Sequence, residues 1–321
     1  MMPDRFNTTA AAQVMGDEMP TYIGNYPHKL RAHWSDNLQG VTHSDDHWFF
    51  TQLTKLLKFP VTSDLNAPKR PAGASVKKMP KELSEAGYNH FGDPDYLRIG
   101  AQGYIFIPVE GKDMDPILAV FKDGVDIEFV GHAVLPSQTC AKHIGRAGWV
   151  AFDANDLDHR LLHSSHNRIS ADYPVYRYKV DFDQLILGTV SLVAADTDLP
   201  LTHDDGTPVK IKGYIQGGCF SPDGRLFIIS GKGGDDGKGG ILAFSSSGDF
   251  LFRSVQNKTD SNSFVYRYDS GPLCNEEPEG ITWWNVDGLH APHITGQLHA
   301  ILLNNNPGTD SIYLKHYRIP G

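Results

Sequence analysis

Three times in this chain a side chain bearing a carbonyl oxygen stands directly before a glycine, and a short apolar run rich in β-formers follows. The three stretches are Gln39-Gly40-Val41-Thr42, Gln216-Gly217-Gly218-Cys219-Phe220 and Glu279-Gly280-Ile281-Thr282-Trp283-Trp284. Repetition at a period of several tens of residues constrains a fold more than composition does. Each repeat is one supersecondary unit that cannot bury its own apolar face, so the units must stack radially or as a solenoid.

Adding the weaker starts at Asp93 and Gly148 places successive units at residues 39, 93, 148, 216 and 279, with intervals of 54, 55, 68 and 63. These exceed the roughly 40 to 50 residues of a propeller blade and leave room for insertions. Strand signals fall in groups between the starts. His47 to Thr51, Gly103 to Glu110, Pro116 to Phe121, Arg225 to Ser230 and Ser311 to Arg318 are the clearest, and Lys122-Asp123-Gly124 is a hairpin turn. Residues 173–180 and 184–193 read as strands of the third group, and residues 66–88 as a long surface loop. Tyr176-Arg177-Tyr178, Tyr266-Arg267-Tyr268 and Tyr313 to Tyr317 read as outer strands. The expectation is an all-β chain, a β-propeller with five blades, six being the second choice. Residues 36–321 form the propeller, and residues 1–35 form a tail or a segment that closes the ring. A decorated β-sandwich is the alternative, but it leaves the repeated polar-glycine starts unexplained.

The formal net charge is −9 and no basic stripe is visible. Nucleic-acid binding draws its affinity from clustered Lys and Arg, so a nucleic acid is not the expected partner. A small molecule or a carbohydrate is. Three widely spaced cysteines, Cys140, Cys219 and Cys274, allow at most one disulfide, so this is not a disulfide-stapled scaffold. No apolar run is long enough for a membrane-spanning helix. No signal peptide is visible at the N-terminus, which leaves the compartment open.

In a propeller the innermost strands start near the axis, so equivalent positions of different blades converge. Gln39, Asp93, Asp95, Gln216 and Glu279 form the expected axial set. Converging carboxylate and amide oxygens repel unless a cation neutralises them, and they are the hard ligands that Ca²⁺ takes. Such an ion polarises an ester or phosphoryl oxygen. His90 is the expected general base, since imidazole titrates near neutrality and a nearby carboxylate orients it. Glu277 is the second expected catalytic residue. The non-catalytic alternative is a binding propeller, a lectin or a protein-interaction module, with its polar residues capping strand ends.

Other patterns point elsewhere less strongly. His163-Ser164-Ser165-His166, His290-Ala291-Pro292-His293 and Cys140-Ala141-Lys142-His143 have zinc-like spacing, but none has a matching second pair. Gly231 to Gly240 is glycine-rich, yet its spacing fails the phosphate-loop pattern, and it reads as a hairpin loop. No Gly-x-Ser-x-Gly nucleophile elbow occurs. Trp149, Trp283, Trp284, Tyr96 and Tyr104 read mainly as packing between blades, with sugar stacking as their other use.

The stretches Ser221-Pro222-Asp223-Gly224-Arg225-Leu226-Phe227-Ile228-Ile229-Ser230 and Glu277-Pro278-Glu279-Gly280-Ile281-Thr282-Trp283-Trp284 resemble the blade grammar of the β-propeller superfamily. The likeness spans roughly residues 36–319, at the level of the fold. The Glu279-Gly280 start is similar to that of the calcium-dependent propeller hydrolases, the senescence-marker/gluconolactonase and paraoxonase group. That resemblance implies attack of water on a lactone or ester beside an axial Ca²⁺. Gln39 and Gln216 stand here where that group uses asparagine ligands.

Overall fold

A computed structural model describes residues 19–27, 34–67, 70–136, 138, 147–153, 155, 161–211, 214–231, 240–256, 265–266, 276–304 and 311–320. Strand β1 (Thr21–Asn25) comes first, and its partner is the last strand of the chain. The first blade is β2 (Leu38–His43), β3 (His47–Gln52), β4 (Lys55–Pro60) and β5 (Ser75–Lys78), paired in that order. A short helix α1 (Lys81–Ala86) leads to the second blade. There β6 (Tyr88–Phe91) and β7 (Asp95–Ile99) share the inner position against β8 (Gln102–Gly111), followed by β9 (Ile117–Asp123) and β10 (Glu128–Val134). The third blade is β11 (Val150–Phe152), β12 (Leu161–Ser164), β13 (Tyr176–Val180) and, after helix α2 (Phe182–Ile186), β14 (Leu192–Ala194). The fourth is β15 (Ile215–Phe220), β16 (Leu226–Ser230), β17 (Gly240–Phe244) and β18 (Phe250–Arg253). A short parallel pair, β19 (Val255–Gln256) and β20 (Val265–Tyr266), precedes the fifth blade, β21 (Glu276–Trp283), β22 (Leu298–Asn304) and β23 (Ser311–Arg318).

The fifth blade takes its outer strand from the other end of the chain. Strand β1 pairs antiparallel with β23, setting Thr21 opposite Arg318 and Asn25 opposite Lys315. Strand β1 therefore completes the fifth blade.

Each blade is covered on both faces, which explains why its central strands are continuously apolar instead of alternating. On β8, Tyr104 and Phe106 point toward the third blade and pack with Val150, Leu162 and Tyr178. The intervening Ile105, Ile107 and Val109 point toward the first blade and pack with Phe49 and Leu56. The same division recurs around the ring. Trp48 and Phe50 meet Ile301 and Leu314, Leu226 and Ile228 meet Trp149 and Ala151, and Phe227 and Ile229 meet Leu298 and Ala300. These apolar layers join five blades into a closed ring, the five-bladed propeller.

Three sequence expectations need correcting. Residues 66–88 contain β5 and α1. The stretch 184–193 begins as helix, because Asp181 accepts the Gln184 N–H at 3.0 Å as an N-cap and Phe182 and Leu185 bury one helical face. Tyr176 to Tyr178 and Tyr313 to Tyr317 lie on third strands, β13 and β23, and Tyr266 lies outside the blades in β20. Residues 232–239, Cys140 to His143 and Cys274 lie outside the described residues.

At the axis the inner strands approach until only glycine fits. A Cβ on Gly280 would lie 2.6 Å from the Gly40 Cα, and one on Gly217 would lie 2.9 Å from the Gly280 Cα. The glycine after each polar start is thus required by the packing of blade against blade. Among the described residues, the glycine backbones and the Asp93 carboxyl meet in close contact at this level.

Candidate active site at the propeller axis

Asp93 fills the narrowest point of the axis. Its Oδ1 accepts the N–H of Val41 at 2.9 Å. Its Oδ2 accepts the N–H groups of Gly218 at 3.2 Å and Ile281 at 3.1 Å. Its own backbone N–H donates to the Gly148 carbonyl at 2.8 Å, and its carbonyl accepts from Val150 at 3.2 Å. One residue of the second blade therefore bonds to the other four. It is fully buried, and burial pushes its carboxyl well above the usual range, while the three N–H donors pull the other way.

On one side of this plug lies the leading end, where the inner strands begin. Gln39, buried at the start of β2, accepts a hydrogen bond from His90 Nε2 at 2.5 Å and donates from its own Nε2 to the Leu38 carbonyl at 3.1 Å. Since the Gln39 Oε1 only accepts, the His90 Nε2 carries the proton. Across the axis, Gln216 Nε2 on β15 donates to Glu277 Oε1 on β21 at 2.7 Å. Glu279 is buried two residues further along β21. Burial pushes its carboxyl well above the ordinary range, and the neighbouring charges of Glu277, Asp93 and Glu110 push it further.

Glu110 was not among the residues expected from sequence. It ends the apolar β8 strand as a buried carboxyl and is the register partner of His90. A charge closing an otherwise apolar buried strand was the signal available for it. Gln39, His90, Gln216, Glu277 and Glu279 thus lie at the leading end. Asp93 forms their floor. Asp95 does not join them: it lies beyond the plug, at the trailing end, beside Thr42 and Phe152.

The donor set does not fit the expected calcium ion. Both oxygens of Asp93 are taken by backbone N–H groups, the Gln39 oxygen by His90, and Asp95 faces the opposite end. Among the described residues no three His, Cys, Asp or Glu side chains stand close enough together to hold a metal. The zinc-like pairs His163/His166 and His290/His293 likewise form no such group. Three backbone N–H donors converge on Asp93, and burial pushes the Asp93 and Glu279 carboxyls toward their protonated forms. Of the aromatics, Trp149, Tyr104 and Trp284 are buried between blades, while Tyr96 and Trp283 line the trailing end.

No protein-family model and no curated relative matches the sequence. Solved structures of similar outline include an arabinanase from Bacillus subtilis, at 12% identity and a TM-score of 0.46 over 92% of this chain and 96% of that one. An α-L-arabinofuranosidase from Lactobacillus brevis matches at 13% identity and a TM-score of 0.46, over 89% and 94%. A family 43 glycoside hydrolase from Xanthomonas citri, complexed with xylose, matches at 11% identity and a TM-score of 0.45, over 96% and 92%. The resemblance to the senescence-marker and paraoxonase group finds no support in these structures. No described helix is long and apolar enough to cross a membrane.

Proposed function

We propose that this chain is a hydrolase acting on a sugar-derived substrate at the leading end of the propeller axis. The observation that carries this reading is the unequal pair on β21. Glu279 is buried among other carboxylates, which favours its protonated form, whereas Glu277 is half-buried and accepts the Gln216 amide. A carboxyl that favours its protonated form beside a second carboxyl is the pair that glycosidic hydrolysis uses. One holds a proton for the leaving oxygen, and the other activates water or attacks the sugar carbon. Glu279 takes the first role and Glu277 the second. His90, whose Nε2 bonds to Gln39, is the general base assigned if the scissile bond is instead an ester or lactone of a sugar acid.

The test is a panel of aryl arabinofuranosides, aryl xylosides, sugar lactones and simple aryl esters, assayed with the intact chain and with Glu279→Gln and Glu277→Gln. The expected result is turnover of a glycoside that falls about 10²- to 10⁴-fold in kcat in each variant, with KM little changed. Saturable sugar binding without turnover of any of these substrates would overturn the hydrolase reading and leave a binding propeller.

A further inference from the structure

Beyond Asp93 the axis reopens at the trailing end into a pocket of about 200 Å³ to which all five blades contribute. Thr42 comes from β2, Asp95 and Tyr96 from β7, Phe152 from β11, Phe220 from β15 and Trp283 from β21. The Asp95 carboxylate is held in place by its neighbours. Its Oδ1 accepts the Tyr96 N–H at 2.7 Å and the Thr42 hydroxyl at 3.5 Å, and its Oδ2 accepts the Phe152 N–H at 2.7 Å. With Oδ1 accepting twice and Oδ2 once, Oδ2 keeps a second lone pair.

No lysine or arginine lines this pocket. His43 does line it, stacked on Trp284 with its ring nitrogens 2.9 Å from the Ser44 carbonyl and 2.7 Å from the Trp283 carbonyl; burial lowers its pKa and favours the uncharged ring, which donates to one of the two. Arg98 at the rim pairs with Asp45 at 3.0 Å. The other titratable neighbours, Asp93 and Cys219, bring no positive charge. Among the described residues, then, a fixed carboxylate sits in an aromatic-walled pocket with no cationic partner from the protein.

We propose that the trailing-end pocket binds a small organic cation, a protonated primary amine on a short skeleton, with Asp95 as counter-ion and the aromatic walls as cation–π partners. An ammonium group is a hydrogen-bond donor, a positive charge and a partner for aromatic faces, so it satisfies the free Oδ2 lone pair, the Asp95 charge and the ring surfaces together. A neutral alcohol of the same shape satisfies only part of this. With no cation bound, burial raises the Asp95 carboxyl to about 7, so near neutrality it is part protonated. Binding an ammonium ion favours the carboxylate and expels that proton to solvent. Affinity therefore rises with pH through this range.

The experiment is calorimetric titration of the full chain with n-propylammonium chloride, and with 1-propanol as the neutral isostere, about one unit below and one unit above pH 7. The expected result is saturable binding of the ammonium ion, tighter by about tenfold at the higher pH, with proton release at the lower pH and no comparable binding of propanol. Asp95→Asn abolishes the binding, while Glu279→Gln, altered only at the opposite end, leaves it unchanged. Should Asp95→Asn fold poorly, the pH dependence and proton release of the unaltered chain decide the matter. Equal binding of propanol, pH-independent binding, or no saturation at about tens of millimolar ligand overturns the proposal. Because it concerns the other end of the axis, its failure leaves the hydrolase reading untouched.

Discussion

The Oδ2 atom of Asp93 accepts the backbone N–H of Ile281, 188 positions later in the chain, at 3.1 Å. With the bonds to Val41 and Gly218, this makes one buried side chain the common anchor of four blades, its own included. A side chain committed in this way is structural first.

Replacing Asp93 by Ala leaves three buried N–H groups without acceptors. At about 1–3 kcal/mol for each unsatisfied group, the loss is on the order of 3–5 kcal/mol or more. Asp93→Asn keeps one carbonyl oxygen and should lose less. Urea denaturation of both variants checks the order. An alanine variant as stable as the parent chain would show that the blades hold together without this anchor.

The glycine layer gives a separate expectation. A methyl group at Gly280 meets the Gly40 Cα at 2.6 Å, a backbone atom that cannot swing aside. Gly280→Ala should cost about 1–3 kcal/mol by overpacking, read as a lower Tm, and Gly217→Ala should behave alike.

Asp95 contributes a pH dependence whose sign is fixed. Its carboxyl rises from 3.8 unfolded to about 7 folded, so its contribution to stability is complete below about pH 3.8 and is lost as pH rises through about 7. The buried His163, lowered to about 3, and His316, lowered to about 4, act oppositely and lose stability as pH falls below 6.5. The unaltered chain therefore mixes both trends. Subtracting the stability of Asp95→Asn at each pH isolates the first: the difference should shrink steadily from about pH 4 to pH 8. A flat difference would mean that Asp95 is not desolvated in solution.

How the sequence expressed this architecture follows from which constraints are local. The polar-glycine starts were legible because the axis leaves no room for a Cβ, a demand that each blade must meet within its own few residues. Five starts gave five blades for the same reason. The convergence of Gln39, His90, Gln216, Glu277 and Glu279 followed from that count. The role of Asp93 was not legible, because its partners lie 52, 125 and 188 residues away and are backbone groups that carry no mark in the sequence. Asp95 was misplaced because two residues of extended chain carry it past the plug. The helix α2 escaped notice because a five-residue helix has too short a period to be seen.

If Glu279 supplies the proton, activity needs it protonated. The rate should fall as pH rises through its raised value, and Glu279→Gln should lose that alkaline limb together with most of kcat. A pH–rate profile of the two proteins on one aryl glycoside checks this. An unchanged alkaline limb in the variant would assign the acid to another group.

Chelation offers a simpler check on the axial charges. Because the Asp93 and Gln39 oxygens are engaged within the protein and Asp95 lies at the opposite end of the axis, treatment with a strong chelator should leave Tm unchanged. A fall in Tm reversed by calcium would require an ion site among other residues.

The pairing of β1 with β23 has a temporal side. Thr21–Asn25 leaves the ribosome long before Ser311–Arg318 exists, so four blades can assemble while the fifth stays open along one flank. The ring is thus fastened last by the two chain segments that are farthest apart in synthesis. Until then, the unpaired flank of β23 is the part of the nascent protein most in need of protection from other chains.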